Sequence, residues 1–211
     1  MLAAFLIAIA GPGSSSPLAP RQSFAGDTEN GLTGLGTVLN PCVDNIVIFA
    51  RGTTEPGNVG TLVGPPFFEA FANIVGNSNL VVQGVDYPAN IAGFLEGGDP
   101  AGSKTMASDI EQALSDCPGA KVIISGYSQG GQLVHNAANL LSSDITAQIA
   151  GAIIFGDPDN GTAVTGISAA DTDVYCHVGD DICLGGDLVL PQHLTYADDA
   201  DAAAQFAAAL P

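Results

Sequence analysis

Four short apolar runs rich in β-branched residues constrain this chain more than any other feature: Ile46–Ala50, Leu80–Val85, Val122–Ser125 and Ala152–Phe155, with a weaker one near Val174. None alternates apolar with polar residues as a strand with one wet face does, so each reads as a strand buried on both faces. Between them lie PPFFEAFANIVG, KTMASDIEQALSDC and QLVHNAANLLSS, which carry helical features, the last two with apolar positions three or four apart. This succession predicts a three-layer α/β fold, with a mainly parallel sheet of about five strands and helices on both faces joined by right-handed crossovers. The 211 residues, 46% of them hydrophobic, can bury one core, and two full domains are not expected. Ligands of such sheets gather at the carboxyl ends of the strands.

The stretch KVIISGYSQGGQLVHNAA, Lys121 to Ala138, leads from the third run through a glycine-flanked serine into a helical pattern. Gly126 and Gly130 let the backbone turn sharply, so a strand-to-helix corner can lift the Ser128 hydroxyl above the sheet as a nucleophile. An ordinary glycine-rich turn would need no partners, whereas a nucleophile needs a base and an acid. Of the three histidines, His135 lies on the same helix, about 10 Å of rise beyond Ser128, and reads as structural. His177 could face the site but precedes the best acid candidate, whereas His193, in LPQHLTY, follows every plausible acid and gives the order Ser, Asp, His of the α/β-hydrolase triad. Asp157, Asp159, Asp171, Asp173, Asp180, Asp181 and Asp187 all compete for the acid. Asp180 is favoured because it follows Gly179 inside a loop that a disulfide would hold still; Asp181 is its main rival and Asp157 the next. Oxyanion donors are expected from the backbone N–H of Gln129, at a helix N-terminus, and from Thr53 in the loop ARGTTEPGNVGT, the alternative being a plain connector.

With 22 acidic against 4 basic residues the net charge is −18, which argues against nucleic acid or an anionic membrane surface as partner and fits a neutral substrate. The acidic residues, including those of the tail ADDADAAAQFAAALP, read as a solvated surface. The apolar run Leu2–Ala10, followed by Pro- and Ser-rich sequence, reads as a targeting segment too short to span a bilayer. Residues 1–21 are therefore assigned to a secretion signal with a short pro-segment ending at Arg21. Residues 22–211 form a single catalytic α/β domain, its folded part expected to begin near Gly31, with a docked N-terminal strand as the less favoured alternative. Four cysteines suit an exported protein. Cys42 and Cys117 stand equally far ahead of the runs at Ile46 and Lys121, so if those are neighbouring parallel strands the two can bridge, leaving Cys176 with Cys183. No Cys-x-x-Cys pair or His doublet suggests zinc.

Three stretches resemble the cutinase family of serine esterases: PGAKVIISGYSQG (Pro118–Gly130), CHVGDDICLGGDLVLPQH (Cys176–His193) and the loop ARGTTE (Ala50–Glu55). The resemblance covers roughly Pro41 to the C-terminus. It implies an α/β-hydrolase-like fold without a lid, with Ser128 as nucleophile, His193 as base and Asp180 as the residue orienting it. Thr53 and Gln129 become the oxyanion hole, and the family's cysteine pairing agrees with that reached from the strand starts. The implied activity is hydrolysis of cutin-like aliphatic polyesters and short- to medium-chain esters by a secreted monomer, without cofactor or metal and without stable membrane insertion. Ile91, Val189 and Leu194 are the candidates for an apolar acyl-binding rim, with ordinary packing as the alternative for each. Two positions depart from the family's pattern: Thr53 where serine is common, and Asp187 where apolar residues are. An acetylxylan esterase is the nearest rival, weakened by the absence of tryptophan and the presence of only four tyrosines for sugar stacking. A non-catalytic secreted surface protein is the rival of another class.

Overall fold

The computed structural model describes residues 23–32 and 42–211. The targeting run Leu2–Ala10 and Arg21 lie outside them. In chain order the elements are β1 (Asn45–Ala50), α1 (Gly64–Val75), β2 (Leu80–Gly84), α2 (Ile91–Leu95), α3 (Pro100–Asp116), β3 (Lys121–Tyr127), α4 (Gln129–Leu140), α5 (Ser143–Thr146), β4 (Ile149–Phe155), β5 (Thr172–Tyr175) and α6 (Ala200–Ala209). The five strands form one sheet in the order β2-β1-β3-β4-β5, with every pairing between them parallel.

Strand periodicity divides the core in two. Ile46 and Ile48 of β1, Val122 and Ile124 of β3, and Ala152 and Ile154 of β4 face the layer of α3 and α4, where they meet Met106, Ile110, Leu133 and Val134. The intervening residues Val47, Phe49, Ile123, Ile153 and Phe155 face the other layer and pack on Phe67, Phe68 and Phe71 of α1 and on Ala203, Ala204 and Ala207 of α6. Both faces are dry, which is why the strands contain no polar alternation. The helix starts follow local chemistry. Asp99 caps α3 by accepting from the Gly102 N–H at 2.6 Å, with Pro100 just behind it, and Asn90 caps α2 through Gly93 at 2.8 Å.

Two parts differ from the sequence reading. The acidic tail is not merely solvated: α6 lies against α1, its alanines letting the two helices approach closely while Asp201 faces out. At the other end, ordered chain begins ahead of Gly31. Phe24 is buried edge-on to Phe68 at 5.9 Å, Asn30 bridges Gln83 antiparallel, and Gly31 N–H donates to the Val82 carbonyl at 2.9 Å. The docking is by one isolated bridge and side-chain burial, without a strand of its own among the described residues.

Asn45 and Lys121 are register partners at the start of β1 and β3, and the Cys42–Cys117 bridge joins the two chains just before them. The second bridge joins Cys176 to Cys183. The Lys121 ammonium donates to the carbonyl of Leu210, tying the chain's end to the amino end of β3. Among the described residues no helix is long and apolar enough to cross a membrane.

Candidate active site

Ser128 sits between β3 and α4 with φ 56° and ψ −121°, a region that L-residues rarely enter and that costs about 1–3 kcal/mol. The corner is enforced by close approach. A Cβ on Gly126 would lie 2.2 Å from the Gly130 carbonyl oxygen, and one on Gly130 would lie 2.0 Å from that of Ala50 in β1. Ser128 N–H donates to the Phe155 carbonyl at 2.9 Å, so the turn is also tied to the end of β4. Serine at such a helix start ordinarily caps with its hydroxyl, but Ser128 makes no capping bond. Its oxygen is left for the cleft in front of it.

That cleft, of about 500 Å³, is lined by Thr53, Ser128, His193, Ile91, Val189 and Leu194, all expected from sequence, and also by Leu62, Phe94 and Tyr127. Its volume is that of a small-ligand site. Ile91 is 63% and Val189 61% exposed where they line the cleft, so neither is packed in the core. Asp187 also lines the cleft, placing a carboxylate beside Val189 and Leu194.

His193 is buried, and its Nδ1 lies 2.8 Å from Asp180 Oδ2. The carboxylate is held by two more donors: the Tyr196 hydroxyl at 2.6 Å to Oδ2 and the Ile182 N–H at 3.1 Å to Oδ1. His193 Nε2, on the far side of the ring, is buried with no hydrogen-bond partner among the described residues, Ser128 included. Catalytic contacts of this kind are commonly long without substrate and close when it binds. The ring is clamped from both sides. Tyr127 stacks on it at 5.1 Å and donates its hydroxyl to the His193 carbonyl at 2.7 Å, while Gly156 leaves room where a Cβ would lie 2.7 Å from Cε1. Burial raises the Tyr127 and Tyr196 hydroxyls above the ordinary tyrosine range, so both remain donors at neutral pH.

The two main rival acids fall elsewhere. Asp181 Oδ2 accepts from Leu188 N–H at 3.0 Å and shapes the following loop, while Asp157 is buried against His135 Nε2 at 3.0 Å. His135 is thus a core histidine with a carboxylate partner. His177 faces Asp199, at 2.7 Å, rather than the cleft.

Around the oxyanion position, Gln129 begins α4, so its backbone N–H is one of the unpaired first-turn donors. Its side chain does something unforeseen: Nε2 donates to Thr53 Oγ1 at 2.8 Å and to the Asn90 carbonyl at 2.9 Å. Accepting that bond leaves the Thr53 hydroxyl proton free to donate. The loop carrying Thr53 is braced by Arg51, whose Nε donates to the Glu55 carbonyl at 2.7 Å and whose Nη2 donates to that of Tyr87 at 2.9 Å. Glu55 in turn accepts from the N–H groups of Gly52, Thr61 and Leu62. Sequence reasoning missed Tyr127, Tyr196, Asn90 and Glu55. The available signal was a tyrosine near each motif residue, Tyr127 next to Ser128 and Tyr196 three positions after His193, because a buried tyrosine needs a partner for its hydroxyl.

The cutinase family model matches residues 41–210. This chain belongs to the cutinase family. It is 61% identical over 165 residues to a cutinase of Botryotinia fuckeliana, covering 78% of this chain and 82% of that one. Among solved structures, a Trichoderma reesei cutinase in complex with a phosphonate inhibitor is 46% identical, with a TM-score of 0.79 over 87% of this chain and 80% of that one. The catalytic core domain of an acetyl xylan esterase from Trichoderma reesei is 20% identical, with a TM-score of 0.60 over 81% of this chain and all of that one. That likeness is one of fold alone.

Proposed function

We propose that this cutinase-family chain is a secreted serine esterase that cleaves cutin-like aliphatic polyesters and short- to medium-chain esters, with Ser128, His193 and Asp180 as its triad. The observation that carries the reading is the asymmetry of His193: Nδ1 is engaged by a fully buried Asp180, and Nε2 is unpartnered beside the cleft lined by Ser128. An imidazole held this way can accept a proton at Nε2 while its tautomer stays fixed. Ser128 Oγ attacks the ester carbonyl and passes its proton to Nε2. The tetrahedral oxyanion is held by the Gln129 N–H and by Thr53, through its hydroxyl and backbone N–H. Collapse expels the alcohol, which takes the proton from His193. Water then attacks the acyl-enzyme with the same help, restoring Ser128 and releasing the acid.

Leu62, Ile91, Val189 and Leu194 give the cleft aliphatic walls open to solvent, which supports polymer chains and soluble esters as substrates. Disulfides and the apolar N-terminal run support secretion, and we take the enzyme to act as a monomer. The test compares hydrolysis of a soluble butyrate ester, an aliphatic polyester and acetylated xylan by the wild type and Ser128→Ala. Activity on the first two that disappears with Ser128 is expected; a preference for acetylated xylan would replace this reading with a carbohydrate deacetylase.

A further inference from the structure

His177 is not the base, yet its surroundings are more elaborate than a surface histidine needs. It follows Cys176 of the short bridge, and its backbone carbonyl accepts from Asp180 N–H at 3.0 Å. Its ring reaches across to the segment that carries His193. Nδ1 lies 3.0 Å from the carbonyl oxygen of Gln192, the residue just before His193, and 3.0 Å from Thr195 Oγ1. Nε2 lies 2.7 Å from Asp199 Oδ2. The ring stacks on Tyr196 at 4.2 Å, and the His177 backbone N–H donates to the Tyr196 hydroxyl at 3.0 Å. That hydroxyl is the one that donates to Asp180 Oδ2.

We propose that His177 is a positioning residue for the esterase reaction, clamping the loop that carries Asp180 to the segment that carries His193 so that the Asp180–His193 contact is held at bonding distance. This rests on the triad assignment above. The chemistry of the ring fits a clamp. Nε2–H donates to the Asp199 carboxylate, and Nδ1 either donates to the Gln192 carbonyl or, unprotonated, accepts from the Thr195 hydroxyl, which otherwise donates to that carbonyl at 3.0 Å. The ring therefore keeps a contact on both sides with Nε2–H alone or doubly protonated. The two loops are otherwise joined by a few contacts made by Asp180, His193 and Tyr196 themselves. Without the His177 ring, Tyr196 loses its stacking partner and the Gln192–Thr195 turn its contact with Nδ1.

The experiment uses the full chain with the substitutions His177→Phe, Asp199→Ala and Asp199→Asn. His177→Phe keeps an aromatic ring on Tyr196 and removes both ring nitrogens; Asp199→Asn keeps an acceptor opposite Nε2. Three quantities are read well below the melting temperature: kcat and KM on a soluble butyrate ester, and the far-downfield proton resonance of His193 Nδ1–H, whose position reports its bond to Asp180. His177→Phe is expected to lower kcat about 5- to 50-fold with KM within about twofold and to move or broaden the resonance. Asp199→Ala should act in the same direction less strongly, with Asp199→Asn close to wild type. An unchanged kcat and an unmoved resonance in His177→Phe, with only a lower melting temperature, would overturn the proposal. If His177→Phe does not fold, Asp199→Ala decides by the same two readouts. A wild type that hydrolyses no ester would refute the triad reading, while the resonance would still test the clamp.

Discussion

The two halves of the site are built by different means. The half bearing Ser128, Thr53 and Gln129 is made by the sheet: β1 and β3 end side by side, and a glycine contact too close for any Cβ forces the corner. The half bearing Asp180 and His193 contains almost no regular structure; it is a disulfide loop and short 3₁₀ turns held by side chains, chiefly Tyr196, Tyr127 and His177. Backbone placement makes the nucleophile hard to move, whereas side-chain placement leaves the acid and base dependent on a few bonds. Damage to the first half should appear as lost chemistry in a rigid frame, and damage to the second as lost alignment.

The largest effect tests whether the halves act as one unit. Ser128→Ala and His193→Ala should each lower kcat by about four orders of magnitude or more, with the double variant scarcely worse. Additive losses in ester assays would separate the halves. Next, Thr53→Val removes the hydroxyl that accepts from Gln129 and should slow acylation about 10- to 1000-fold at nearly constant KM, as seen in pre-steady-state bursts. A rate within twofold of wild type would leave only its backbone N–H in play.

A smaller effect, and the sharpest contrast between the halves, comes from the bridges. The Cys176–Cys183 loop spans a separation of 7 residues and carries Asp180 within it, whereas Cys42–Cys117 spans 75 and ties together the amino ends of β1 and β3, at the far end of the strands from Ser128. Cys176→Ser with Cys183→Ser should therefore lower kcat about tenfold before circular dichroism shows unfolding, while loss of the long bridge should lower the melting temperature more, its loop being worth about 4 kcal/mol. The reverse pattern would reassign the short bridge to stability.

The smallest effect lies outside both halves. Burial, with Asp86 adding repulsion, pushes the Asp109 carboxyl of α3 up to about 7, and its Oδ2 has no partner among the described residues. A raised folded-state pKa means that stability is fullest below the ordinary carboxylate range, near pH 4, and declines as pH rises through about 7. Asp109→Asn should accordingly raise the melting temperature by about 2–5 °C at pH 8 and hardly at all at pH 4, with kcat unchanged. An equal gain at both pH values would point to packing instead of charge.

The same division explains what was legible in the sequence. The central strands are buried on both faces and therefore mostly apolar, so the sheet could be read from its apolar runs, with the half-buried β5 the faintest of them, and the glycines around Ser128 announced a corner whose geometry admits little else. Asp180 and Asp181 carry identical side chains one position apart, and only the path of the loop turns one toward His193 and the other toward Leu188 N–H. Helix α6 was hidden for another reason: alanine contributes little to an apolar stripe, and its burial becomes evident only once the phenylalanines of α1 are opposite it. Phe24 was obscured likewise, since a lone aromatic in a polar stretch has meaning only beside Phe68.

The bond from Lys121 to the Leu210 carbonyl pins the chain's last residues to the amino end of β3, and Ser128 follows that strand's other end. The seven residues of β3 set these two points about 23 Å apart. A linker, tag or solid support joined after Pro211 would therefore hold the molecule by the pole opposite its cleft and present the opening outward, toward an insoluble polymer.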